Sequence, residues 1–182
     1  MRMGVRLAAF FRGAAVGAAI LIAGLIALIA LFVWHTTAPS DRQVVARFER
    51  DQAALEELRQ TFSHEPPRII GVTRDSVMLD DTTNWVSPIK AGFSDQRFHD
   101  YQELMAHAHV TQVWNYEGET DFAFAASGFA SYGWRLTFVY RTSKPPFEET
   151  TIDPPYHRIP AEGPLVIYRP VAANWYARFL LF

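Results

Sequence analysis

Asp95, His99, Glu103 and His107 recur every fourth residue, the spacing that sets side chains one above another along a helix face. Imidazole and carboxylate are the donors that zinc and copper take, so His99 with Glu103, or Glu103 with His107, forms a candidate metal site, with His109 as a third donor. His99 and His107 would stand about 12 Å apart along the axis, so the full set cannot meet on one ion. The alternative is a solvated face opposite Phe98, Tyr101, Leu104, Met105 and Ala108, whose spacing suits packing on a sheet.

Other chemistries find fewer residues. The chain has no cysteine, which excludes disulfides, thiolate nucleophiles, cysteine-ligated zinc and thioether-attached haem. Ser127-Gly128 and Ser131 lack the GxSxG turn, and no His or Asp is spaced as a triad partner. The carboxylate pairs Asp80-Asp81, Glu56-Glu57 and Glu148-Glu149 are adjacent in sequence, which does not bring them across a cleft. The expectation is a non-enzyme that uses no cofactor. Trp85, Trp114, Trp134 and Trp175 are candidates for the core, or for a groove rimmed by residues 144–164 with Phe147, Tyr156 and His157.

The elements that must position these residues begin with an apolar run, GAAVGAAILIAGLIALIALFVW, from Gly13 to Trp34. As a helix it would be roughly 33 Å long, matching a bilayer's apolar thickness of ~30 Å. Arg2, Arg6 and Arg12 precede it with no acid among them, which places residues 1–12 in the cytoplasm. A cleaved secretory signal has a shorter apolar core, and Thr36-Thr37-Ala38 is a poor cleavage site, so the segment reads as an uncleaved anchor. Gly13 and Gly17 form a GxxxG with Gly24 one heptad on, small residues through which two helices could approach closely. Homodimerisation or contact with another membrane protein would follow.

After a linker over 35–40, the residues 41–182 have the length of one α+β domain. From Ser40 onward there are fourteen basic and nineteen acidic residues, a balance unlike a nucleic-acid footprint. Ser40 and Gln43 have capping-box spacing, and Val44, Phe48, Leu55, Leu58 and Phe62 make an apolar stripe interrupted by Asp51, predicting a helix over 41–62. The stripe could pack on the domain's own sheet or extend a dimer as a short coiled coil. Short strands are predicted over 68–73 and 77–79, a loop over 84–92, a helix from Ser94 to about Ala108, then strands over 110–116, 121–126, 134–141, 165–169 and 174–181. The six prolines in 144–164 mark a surface loop. This order implies helices on one face of an antiparallel sheet, of which an NTF2-like cone is one form.

The segments YRPVAANWYARF at 168–179 and LTFVYRTSKPP at 136–146 resemble small single-span envelope proteins of Gram-negative bacteria whose function is unassigned. The resemblance implies an inner-membrane setting with a periplasmic domain, and supplies no catalytic residues. Together these features predict an envelope accessory or assembly protein working through protein contacts. The alternatives are a ligand- or metal-binding sensor and, less favoured, a tethered hydrolase.

Overall fold

The computed structural model describes residues 21–26, 38–80, 84–116, 118–129, 132–146, 148, 152 and 164–181. The chain divides into two compact units, Met1–Thr37 and Ala38–Phe182. In the first, residues 21–26 are helical, with Leu21, Ile22, Leu25 and Ile26 exposed and open space beside Gly24. The rest of the expected span, with Gly13 and Gly17, lies outside the described residues. Among the described residues no helix is long and apolar enough to cross a membrane.

The second unit is α+β, with one antiparallel sheet and a few helices. Helix α1 (Asp41–Ser63) starts at Ser40, whose backbone N–H donates to Gln43 Oε1 at 2.8 Å, and it ends just before Pro66 and Pro67. Its buried residues are Val44, Phe48, Asp51, Leu55, Leu58 and Phe62, the predicted stripe together with its interruption. Strands β1 (Ile69–Thr73) and β2 (Val77–Leu79) follow. The predicted loop over 84–92 instead holds a two-residue strand, β3 (Trp85–Val86), and a helical turn, α2 (Pro88–Ala91). Pro88 fits the first turn because its missing N–H would have no helical partner there, and Gly92 ends the turn at φ +87°.

Helix α3 (Asp95–His107) is capped by Ser94, whose Oγ accepts from the Arg97 N–H at 3.2 Å. The remaining strands are β4 (Gln112–Tyr116), β5 (Glu119–Phe129), β6 (Tyr132–Tyr140), β7 (Leu165–Ala172) and β8 (Trp175–Leu181). Strand β5 runs on to Phe129, past the predicted end at residue 126. The strand order is β3-β2-β1-β4-β5-β6-β8-β7, each neighbour antiparallel. Tight turns set the register: Gly118 at φ +83° lies between paired Tyr116 and Glu119, and Asn174 at φ +63° between paired Ala172 and Trp175.

Directly paired residues share a sheet face, so the register sorts the side chains. Val113, Phe122, Phe138 and Ala177 align on one face, and Phe48 of α1 meets that face, 5.3 Å from Phe138 and 5.6 Å from Trp175 between ring centroids. Tyr101, Met105 and Ala108, from α3 and its C-cap, join the same core. The opposite, far face carries Met78, Gly71, Trp114, Asp121, Val139 and Tyr176 in line across six strands. Leu58 is completely buried, so Leu58→Ala is expected to destabilise the protein by roughly 2–5 kcal/mol in urea denaturation. Exposed Ile89→Ala should stay within about 0.5 kcal/mol of wild type in the same measurement.

Candidate functional site

The far face divides into two neighbouring halves. Over β1, β2 and β4 lies a hollow of about 420 Å³, lined by Met78, Trp85, Gln112, Trp114 and Arg135 among others. Gly71 neighbours three of these residues: a Cβ there would come within 3.2 Å of Trp114 Cβ, 3.3 Å of Trp85 Cη2 and 3.4 Å of Met78 Cβ. The bare glycine leaves room for the Trp85 indole and for the Cβ atoms of its ladder partners Trp114 and Met78. Trp85, on the short edge strand, remains 41% exposed, and the Arg135 guanidinium stands 6.0 Å from the Trp114 ring centroid.

Across β5, β6, β8 and β7 the same face carries ions. Arg178 Nη2 donates to Asp121 Oδ2 at 2.6 Å, Arg141 Nη1 lies 2.5 Å from Glu119 Oε1, and the Tyr168 hydroxyl donates to Glu119 Oε2 at 3.3 Å. Asp121 is buried, and among the described residues its Oδ1 has no hydrogen-bond partner. Burial pushes its carboxyl up to about 6, against the downward pull of Arg178 and with a further push from Glu119. Trp114, its ladder partner, acts to lower it without closing a hydrogen bond of ordinary geometry. Thr137 Oγ1 on the same face is also buried without a partner among the described residues.

The helix side holds two further clusters. Asp51 receives both its oxygens' hydrogen bonds from Arg50 at 2.8 Å, and His109 Nδ1 lies 3.1 Å from Oδ1. Burial opposes its charge, yet Arg50, His109 and Arg47 together hold this carboxyl below its ordinary value. His109 sits at φ +53°, a conformation secured by Arg47 donating to its carbonyl at 2.6 Å. Glu65 pairs with Arg97 and accepts from the buried Tyr101 hydroxyl at 2.8 Å, joining α3 to the end of α1. A hollow of about 550 Å³ beside Glu65, Pro66 and Pro67 therefore has one of its acids already partnered.

Of the residues singled out by sequence, His99 and Glu103 pair at 3.3 Å on an exposed face of α3. His107 is also exposed, and His109 turns to Asp51. Among the described residues no three His, Asp or Glu side chains converge as metal ligands. Trp134 and Trp175 are buried in the core, while Trp85 and Trp114 line the hollow. Phe147, Tyr156 and His157, the expected rim, lie outside the described residues. Gly71, Asp121, Arg135 and Arg178 escape a sequence reading because only strand register brings them together. Comparison with protein-family models, with curated proteins and with solved structures finds no match.

The Asp121 geometry has a pH consequence. The folded carboxyl keeps its proton to about pH 6, whereas the unfolded chain releases it near 3.8, so between these values the unfolded state binds fewer protons and stability falls as pH rises. At 1.36 kcal/mol per pH unit the loss is roughly 3 kcal/mol, complete above pH 6. Asp121→Asn should remove this decline: the stability difference between variant and wild type, from urea midpoints at pH 4 to 7, is expected to shift in the variant's favour with rising pH. A constant difference across that window would refute the assignment.

Proposed function

We propose that this chain is a single-span protein of the bacterial inner membrane, with a cytoplasmic N-terminus and a periplasmic domain that serves as an accessory or assembly factor by holding a protein partner. The apolar run at 13–34, with three arginines before it, supports the anchor. One helix preceding an antiparallel sheet, with the core on one of its faces, supports an NTF2-like arrangement.

The observation that carries the binding role is the far-face hollow. Tryptophan, methionine and arginine are the side chains over-represented where proteins meet, and Trp85, Trp114, Met78 and Arg135 are gathered there. A half-exposed tryptophan on a two-residue edge strand is a large apolar surface left for another molecule to cover.

A photo-cross-linking amino acid at position 85 of the full-length protein, in its native membrane, tests this. Irradiation should join one reproducible protein to position 85, and not to position 52 on the exposed side of α1. Equal labelling at both positions, or none at 85, would count against the proposal.

A further inference from the structure

We infer that the far-face hollow takes an acidic stretch of a partner polypeptide, seating an apolar or aromatic side chain against Trp85, Trp114 and Met78 and a carboxylate on Arg135. The inference rests on the reading of this face as a protein-docking surface, and adds the chemistry of what docks.

Charge is the first ground. Arg135 is the one charged side chain among the described residues that line the hollow, which also presents the neutral amides of Gln112 and Asn115. It is exposed, and its one contact with an aromatic or charged group among the described residues is the face of Trp114. The other arginines of the far face differ. Arg141 and Arg178 are committed to Glu119 and Asp121. A guanidinium 6.0 Å from the Trp114 ring centroid, with no hydrogen bond or ion pair among the described residues, matches a carboxylate's two oxygens, whereas a basic occupant would meet an uncompensated like charge.

Shape is the second ground. The hollow is open to solvent, unlike the enclosed pockets that bury most of a small ligand's surface, and the Trp85 and Trp114 indoles form its aromatic wall. A flat, partly covered aromatic wall accommodates one side chain of a longer molecule. An anionic lipid surface would supply the same charge, but it is drawn by clusters of basic residues, and Arg135 is the one basic residue among the described residues lining the hollow.

The test uses full-length protein in phosphatidylcholine nanodiscs, panned against a displayed library of random peptides. Asp or Glu beside Phe, Trp or Leu is expected to be enriched. Arg135→Glu should reverse the selection toward Lys and Arg, and Arg135→Ala and Trp85→Ala should each weaken a selected peptide about tenfold. Thermal unfolding of each variant verifies that the fold is intact. The proposal is overturned if no peptide is enriched, if the enriched peptides lack acids, or if Arg135→Glu leaves the selection unchanged. It is overturned equally if Arg135-dependent binding is found to phosphatidylserine vesicles and not to peptides. A partner cross-linked at position 85 alongside any of these failures would leave the docking surface standing and remove only its acidic preference.

Discussion

The contact on which the rest of the domain depends is the apolar stripe of α1 laid against one face of the sheet. Val44, Phe48, Leu55, Leu58 and Phe62 are all buried, and each such side chain contributes roughly 1.5–3 kcal/mol when fully removed from water. Because side chains alternate along a strand, committing Phe122, Phe138 and Ala177 to the helix obliges Asp121, Val139, Arg178 and Trp114 to the other side. A slip of one residue would drive Asp121 and Arg178 into the core and turn Phe122 and Phe138 outward. The far face is thus a consequence of how the helix face is filled, and its chemistry is held in register by that packing.

The two faces treat buried carboxylates oppositely. Asp51, on α1, is surrounded by Arg50, His109 and Arg47, so its charged form is favoured and its contribution to stability is present at neutral pH, fading only as acid protonates it. Asp121, in the sheet, has Arg178 on one oxygen, Glu119 nearby and an orphan second oxygen, so burial prevails and the proton is retained to higher pH. Partner number decides the sign. Arg50, His109 and Arg47 together outweigh desolvation at Asp51, and Arg178 alone does not at Asp121.

Much of this architecture was legible because local patterns and the final packing agree. The spacing of Val44, Phe48, Leu55, Leu58 and Phe62 gives α1 and its buried face, Ser94 gives the start of α3, and alternation gives most of the sheet. Asp51 reads from sequence as a flaw in the stripe, since nothing local shows that His109, fifty-eight residues on, will pair with it. Residues 84–92 read as loop because a two-residue strand and a single helical turn are too short to carry a period. The hollow was illegible for the same reason in stronger form. Its residues come from β1, β2, β3, β4 and β6, and the spacing of any one strand contains no trace of the others.

The electrostatics of the far face also run against those of the chain around it. From Ser40 onward acids exceed bases by five, yet the one charged side chain among the described residues lining the hollow is Arg135, and the nearby Glu119 and Asp121 are tied to Arg141 and Arg178. The acidic partner proposed for the hollow would gain little from long-range steering, since beyond a Debye length of about 8 Å it meets the field of an acidic domain. On the docking proposal, selectivity would arise at contact, once a docked chain covers the exposed Trp85 indole and the Arg135 guanidinium and lowers the dielectric around them. Discrimination among proposed partners would then lie in how slowly they leave, which is the regime set by an aromatic anchor that docking buries beside one charge.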